Sequence, residues 1–148
     1  FRGDGRKVAT GTWRRTVLVV DVETGAVEST LVGHAGTVWS VHWPRHDDSL
    51  LLSAAADGAI RLWDLDGGRS VLELLPFDAG DALAVAASDD GRWLAAAGAS
   101  PAVFVWDLAY YDRHIAGNVE CQLEQTDATP EATAHLREWA RGVLARPR

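Results

Sequence analysis

A short apolar segment recurs along this chain at a fixed interval of 43 residues, and this period constrains the fold more than any other feature. The three copies read VLVVDV, IRLWDL and VFVWDL, and each has an Asp at the same place: Asp21, Asp64 and Asp107. Segments this short and apolar, bounded by turn-forming residues, favour strands rather than helices. The period therefore predicts a repeat protein in which each repeat is a small set of strands.

Turn-forming pairs separate the strand segments. Asp57-Gly58, Asp66-Gly67 and Asp90-Gly91 stand between apolar runs, where a tight hairpin needs residues that accept positive φ. In the second unit these turns leave four strand-like segments, at residues 37–43, 49–55, 59–65 and 70–75. This pattern predicts antiparallel strands joined by hairpins.

The second unit runs from Gly33-His34 to Trp63-Asp64, and on these residues the chain resembles the WD40-repeat β-propeller family. The resemblance implies an all-β fold made of propeller blades, each a four-stranded antiparallel sheet. We expect two complete blades plus a partial one within residues 1–108. The partial blade would cover 1–32, a complete blade 33–75, and the last blade 76–108.

A different periodicity follows the last Trp-Asp pair. Apolar residues at Tyr111, Ile115, Val119 and Leu123 are spaced by four, which places them on one side of a helix. Thr129-Pro130 has the composition of a helix start. We expect residues 109–148 to form a helical C-terminal extension, which caps the last blade or, as the less favoured alternative, binds a partner.

A propeller ring needs about 4–8 blades to close, which is more than the repeats in this chain. The opening FRGDGR is similar to the turn after the innermost strand of a blade, and the chain has no Met. Residues 106–118 also resemble the ends of bacterial WD40 proteins. We therefore expect a C-terminal part of a longer bacterial protein, with the remaining blades supplied upstream or by oligomerisation.

His34, Ser53 and Asp57 have the composition of a hydrolase triad. The family resemblance implies another role, a buried structural tetrad that these three residues form with Trp63. No G-x-S-x-G sequence surrounds Ser53, so the context that exposes a nucleophilic serine is absent. At the equivalent positions the third unit has Phe77, Ala96 and Ser100, and the first unit has Thr10 and Arg14. We expect a complete tetrad only in the middle unit and no catalytic residues.

The resemblance also suggests a partner-binding face. The family positions for that surface correspond to Thr37, Trp39 and Ala56 in the second unit, and to Trp13 with Arg14 in the first. Tryptophan and arginine are enriched in binding hot spots, so Trp13 and Trp39, with Arg14 and Arg15 alongside, are candidate anchors for a peptide. The structural alternative is that both tryptophans pack against a neighbouring blade.

Composition narrows the function classes. The net charge of −7 argues against a nucleic-acid surface, and no apolar run is long enough to span a bilayer. Cys121 is the single cysteine, which favours a reducing, cytoplasmic compartment. The five histidines lack ligand spacing, so we expect neither metal nor cofactor.

The sequence thus favours a non-catalytic protein–protein interaction scaffold that binds a protein or peptide. The alternative is a regulatory or sensor propeller domain of a larger bacterial enzyme, such as a serine/threonine kinase or an NTPase. Catalysis would then lie outside this chain, because no Gly-rich phosphate-binding loop is present in it. A hydrolase built on His34, Ser53 and Asp57 is a third possibility.

Overall fold

The computed structural model describes residues 1–45, 47–76 and 80–107, and all regular structure in these ranges is β-strand. The ten strands are β1 (Lys7–Gly11), β2 (Thr16–Asp21), β3 (Val27–Val32), β4 (Val38–His42), β5 (Leu50–Ala55), β6 (Ile60–Asp64), β7 (Arg69–Leu74), β8 (Ala82–Ala87), β9 (Trp93–Gly98) and β10 (Val103–Asp107). No helix in the described ranges has the length and apolar character required to cross a membrane.

The strands form three antiparallel sheets, each built from consecutive strands. The first blade has the order β1-β2-β3, the middle blade β4-β5-β6-β7, and the third blade β10-β9-β8. Sheets of three or four antiparallel strands are propeller blades, so the predicted all-β fold class is confirmed. The third blade has three strands within the described residues, and the predicted helical extension at 109–148 lies outside them.

The sequence period is reproduced by the strands. The three equivalent strands β1, β5 and β9 begin one period apart, at Lys7, Leu50 and Trp93. A register shift between Val19 and Val20 in β2 recurs between Leu62 and Trp63 in β6. Because a bulge bends and twists its strand, equal bulges at equal positions give successive blades the same curvature.

In the first two repeats the Asp lies at the end of its strand, where it stabilises the turn that follows. Asp21 accepts hydrogen bonds from both the amide and the hydroxyl of Thr24, each at 2.7 Å. These two hydrogen bonds, with the larger effect from the Thr24 hydroxyl, hold the pKa of Asp21 below its ordinary value. Asp64 likewise accepts from the amide of Asp66 at 3.1 Å. This local turn chemistry accounts for an Asp at this position of the period.

The core lies where the first and middle blades pack together. Its buried members alternate along the strands, as in Val17 and Val19 of β2, because successive side chains point to opposite faces. In β5 all six residues are buried, since this strand is covered on both faces. The cluster contains Val17, Val19, Leu31, Val38, Trp43, Leu51, Ala55 and Trp63.

The backbones of the first and middle blades meet at the end of β1. The amide of Val38 donates to the carbonyl of Thr12 at 3.1 Å. A Cβ added to Gly11 would lie 2.5 Å from the Val38 carbonyl oxygen, so only glycine permits this approach. We call the end of the blades that carries this junction the upper end. It includes the β1–β2 turn (residues 12–15), the β3–β4 loop (33–37) and the β5–β6 turn (56–59).

Candidate functional site

Four polar side chains meet inside the middle blade although they come from four different segments. His34 lies in the β3–β4 loop, Ser53 on β5, Asp57 in the β5–β6 turn and Trp63 on β6. The antiparallel register pairs Leu51 with Trp63 and Ser53 with Arg61, which places Ser53 diagonally across from the tryptophan. Strand pairing thus positions two of the four groups, and the turn and the loop add the other two.

These four side chains form one continuous hydrogen-bonded chain. The indole N–H of Trp63 donates to Ser53 Oγ at 2.7 Å, and the same oxygen lies 2.7 Å from His34 Nε2. His34 Nδ1 faces the Asp57 carboxylate at 3.0 Å, so this nitrogen carries the ring proton. Nε2 is therefore the acceptor, and the Ser53 hydroxyl donates to it.

The Asp57 carboxylate also accepts hydrogen bonds from the backbone of both the β3–β4 loop and the β5–β6 turn. It accepts from the amide of Ala35 at 2.7 Å and from the amide of Ala59 at 3.1 Å. One side chain therefore joins the β3–β4 loop to the β5–β6 turn. Buried polar groups are costly unless they are paired, and both carboxylate oxygens have partners here.

Burial and hydrogen bonding fix the charge states of the pair. Burial lowers the pKa of His34 below its ordinary value of 6.5, against the opposing effect of the Asp57 carboxylate. Burial alone would raise the pKa of Asp57, but the hydrogen bonds from Ala35, His34 and Ala59 outweigh it and hold that pKa below 3.8. At neutral pH the pair is a neutral imidazole beside a carboxylate.

The connectivity Ser–His–Asp is that of a hydrolase triad, but Ser53 is placed differently from a nucleophile. Its exposure is 0%, and its oxygen is already bonded to Trp63 and His34. A catalytic serine must reach a substrate carbonyl while its proton moves to histidine. The buried Ser53 hydroxyl instead links two strands through its bonds to Trp63 and His34.

The flanking blades lack this network among the described residues. In the first blade Thr10 donates to the neighbouring Gly11 carbonyl at 3.2 Å instead of joining two strands. In the third blade the Ser53 position is Ala96, which is buried and has no hydroxyl. Phe77, at the His34 position of the third unit, lies outside the described residues.

The other predicted site residues lie at the upper end. Trp13 is 87% exposed and Trp39 is 49% exposed. They directly follow Thr12 and Val38, the two residues whose backbones are hydrogen-bonded, so the junction of the blades brings these tryptophans to the same region. Arg14 is exposed in the turn that contains Trp13.

Thr37 and Ala56 are half-buried and joined to each other. The amide of Ala56 donates to the carbonyl of Thr37 at 2.8 Å. A Cβ on the adjacent Gly36 would lie 2.6 Å from the amide of Asp57, so the loop and the turn are in close contact. Both residues therefore take part in the contact between the loop and the turn, and they are less exposed than Trp13 and Trp39.

One residue of this surface, Asp81, was missed from the sequence, and the backbone conformation of a second, Arg15, was not anticipated. The indole N–H of Trp39 donates to the carboxylate of Asp81 at 2.9 Å, which links the middle and third blades. Arg15 has a φ of 66°, the one positive φ outside glycine among the described residues. The period could have indicated this conformation, since one repeat later the same turn position is Gly58.

Within residues 1–45, 47–76 and 80–107, no group of three or more His, Cys, Asp or Glu side chains is arranged to hold an ion.

Comparison with known families gives two matched segments. The family described as "WD domain, G-beta repeat" matches residues 25–64 and 76–107. The first segment begins before β3 and ends at β6, so the family's sequence unit starts one strand earlier than the middle blade. That unit therefore contributes its first strand, β3, to the first blade, whereas the second matched segment covers β8–β10, which all lie in the third blade.

Curated relatives are similar over part of the chain. The human "WD repeat and SOCS box-containing protein 1" is 31% identical over 111 residues, covering 75% of this chain and 26% of that protein. "Nuclear distribution protein nudF" of Aspergillus niger is 36% identical over 80 residues, which cover 54% of this chain and 18% of that protein. The Arabidopsis thaliana "Ribosome biogenesis protein WDR12 homolog" is 35% identical over 83 residues, which cover 56% of this chain and 18% of that protein. The chain thus spans about a quarter or less of these relatives.

Proposed function

This chain belongs to the WD40-repeat family, and on that premise we propose that it is a non-catalytic scaffold that binds a protein or peptide. WD40 repeats indicate an interaction role, and the observation that carries this proposal is the pair of tryptophans exposed at the upper end. Large aromatic side chains are usually buried, so an exposed pair beside the same blade junction favours a contact surface.

The geometry beneath these tryptophans supports binding rather than accidental exposure. Trp39 is held by its hydrogen bond to Asp81, and its strand is anchored to the first blade through Val38. An anchor that is already ordered loses little conformational freedom when it binds. The upper end therefore offers a pre-formed aromatic surface.

We assign the tetrad of His34, Ser53, Asp57 and Trp63 a structural role. Its hydrogen bonds hold the β3–β4 loop against the β5–β6 turn, directly below the proposed surface formed by Trp13, Arg14, Thr37, Trp39 and Ala56. Burial of Ser53 supports this assignment over a hydrolase. Labelling of Ser53 by an acyl-transfer probe in the folded protein would contradict it.

The binding surface is tested by replacing Trp13 and Trp39 with Ala, singly and together. A peptide selected by the wild-type chain from a displayed library of random 12-residue sequences is the probe. Loss of a hot-spot side chain costs about 2 kcal/mol or more, so each change should weaken binding by roughly 30-fold. Trp13→Ala should leave the free energy of unfolding within about 0.5 kcal/mol of wild type, because this side chain is exposed. Trp39→Ala should cost about 1 kcal/mol, because it also removes the hydrogen bond to Asp81.

The matched control is Trp93→Ala. Trp93 is 42% exposed but begins β9, so it lies at the opposite end of its blade from the β9–β10 turn. This variant should keep full binding. Binding that survives both upper-end replacements, or is lost equally in the control, would remove the basis for the proposal.

A regulatory or sensor role within a larger bacterial enzyme is the second candidate. It is favoured by the small share of each relative that the chain covers, and by a relative whose name pairs WD repeats with another module. The remaining blades would come from upstream sequence or from oligomerisation, and the single Cys121 favours a cytoplasmic location. Sequencing the coding region upstream of Phe1 tests this, because a kinase or NTPase domain there would support it.

A further inference from the structure

The β1–β2 turn contains a residue that costs stability. Arg15 adopts φ 66°, and one repeat later Gly58 adopts φ 76° at the same turn position. Glycine is the default residue there, because a side chain in the left-handed region crowds the backbone. The middle blade thus has the residue that the turn favours, and the first blade has an arginine in its place.

The described structure gives Arg15 no structural task that would offset this strain. Its side chain is exposed, and its amide donates to the Thr12 carbonyl at 3.3 Å, a bond that any residue could make. The ion pairs and hydrogen bonds found within residues 1–45, 47–76 and 80–107 do not include its guanidinium. A strained residue without a local role indicates function when a binding surface adjoins it.

Arg15 adds a second cation beside the exposed Trp13. Arg14 precedes it, and both arginines are exposed in a chain whose net charge is −7. Guanidinium groups form paired hydrogen bonds with carboxylates and also stack on aromatic rings. A basic turn on an acidic protein attracts a negatively charged segment to one place, while the rest of the molecule repels it.

The two arginines lie on one side of Trp39, and the carboxylate of Asp81 lies on the other. Trp39 stands between the two, since its neighbour Val38 is bonded to Thr12 and its indole N–H donates to Asp81 at 2.9 Å. We propose that the upper end binds an extended peptide segment with acidic residues over Arg14 and Arg15 and an apolar residue against Trp39. This inference rests on the proposed scaffold function and specifies the chemistry and direction of its partner.

The test uses two pools of fluorescein-labelled 12-residue peptides and the full chain. Both pools are randomised among apolar residues, and four fixed positions at one end are Glu in the first pool and Gln in the second. Wild type should bind the Glu pool about tenfold more tightly than the Gln pool. Each exposed ion pair is worth a small factor, so Arg14→Gln and Arg15→Asn should each weaken Glu-pool binding roughly two- to fivefold. Rising salt should weaken wild-type binding more than binding by the double variant.

Two further variants separate charge from folding. Arg15→Gly should raise Tm by about 2–6 °C while it weakens Glu-pool binding, because it relieves strain and removes a cation. Arg69→Gln is the matched control, since Arg69 is exposed at the start of β7, away from the upper end. It should leave binding unchanged.

The outcomes distinguish this inference from the proposed function. Equal binding of the two pools that disappears with Trp13→Ala and Trp39→Ala overturns the acidic partner and leaves the scaffold surface standing. Absence of binding to either pool overturns the acidic partner as well, and a random-library selection that also yields no binder overturns the scaffold surface.

Discussion

The same repeat positions are used in opposite ways by the middle and first blades. In the middle blade the β5–β6 turn is directed inward, with Asp57 bonded to His34 and to two backbone amides. In the first blade the β1–β2 turn is directed outward, with Trp13 almost fully exposed. One period apart, the turns read Ala56-Asp57-Gly58 and Trp13-Arg14-Arg15. A shared strand pattern therefore sets the shape of the turn, while its side chains decide between holding the blade together and contacting a partner.

The third blade has neither a tetrad nor an exposed tryptophan at its turn. Its turn reads Ala99-Ser100-Pro101, and Ala96 replaces the serine of the tetrad. Trp106 instead stacks on Phe104, with ring centroids 6.0 Å apart. Apolar contact takes the place of the buried polar network, so this blade should depend less on any single hydrogen bond.

The strongest way to break this comparison is to remove the equivalent tryptophans. Trp63 is 0% exposed and Trp106 is half-buried. Trp63→Ala should lower the free energy of unfolding by about 3–5 kcal/mol, whereas Trp106→Ala should cost less than half of that. Urea unfolding followed by circular dichroism measures both. Trp63→Phe should lie between wild type and Trp63→Ala, and equal losses at the two sites would contradict the difference between the blades.

A smaller effect is expected from the serine. Ser53→Ala leaves the Trp63 indole N–H and His34 Nε2 without their buried partner. Each unpaired group costs about 1–3 kcal/mol, so the loss should be about 2–4 kcal/mol. The reciprocal Ala96→Ser should cost about 1 kcal/mol, because it buries a hydroxyl without a histidine partner in its unit. A neutral Ser53→Ala would show that the network does not stabilise the blade.

Acid should weaken the middle blade selectively. Burial lowers the pKa of His34 below 6.5 in the folded chain. As pH falls, His34 is therefore protonated at a higher pH in the unfolded chain than in the folded one. Stability should therefore fall as pH decreases below about 6.5, by about 1.4 kcal/mol for each unit by which the pKa is lowered. Asp57, whose pKa is also lowered, should add to the loss only as pH falls below 3.8.

Urea midpoints at pH 7.5 and 5.5 measure the contribution of His34. His34→Gln should be less stable at pH 7.5 and should show a smaller fall between the two pH values. Other histidines remain in both proteins, so the difference between them isolates His34. An unchanged pH dependence in the variant would contradict the assignment of a neutral, buried imidazole.

The smallest effects should have opposite signs at the two turns. Gly58→Ala places a side chain at φ 76° and should cost about 1 kcal/mol. Arg15→Gly should instead stabilise the chain by a few tenths of a kcal/mol to about 1 kcal/mol, since it relieves a similar conformation. Thermal unfolding of both variants is sufficient to compare the signs. Loss of stability in Arg15→Gly would mean that the arginine has a structural contact after all.

Much of the fold could be predicted because its determinants are local. Strand segments, hairpin pairs and the position of Asp64 follow from alternation and turn chemistry within a few residues. The interval between Asp21, Asp64 and Asp107 then fixed the number of units and their order. The resemblance to the WD40 family, rather than spacing, implied the tetrad of His34, Ser53, Asp57 and Trp63, and the structure adds its interatomic distances.

The candidate surface was less accessible to prediction. Thr37 and Ala56 were selected with Trp39 as equivalent members, but only the tryptophan is exposed, and the other two are half-buried where the loop and the turn are hydrogen-bonded. The contact of Trp39 with Asp81 joins residues 42 positions apart across two blades. No local pattern encodes such a contact.

The sequence by itself determined the repeat, the all-β class and the residues that distinguish the middle unit from its neighbours, because short-range periodicity and turn propensity decide these. The tertiary structure alone decided how deeply each of those residues is buried, which ring nitrogen of His34 carries the proton, and that Trp39 contacts Asp81 of the next blade. Burial and pairing between blades depend on how sheets approach each other, as at Gly11 and Val38. That approach is set by packing across the whole core rather than by any one segment.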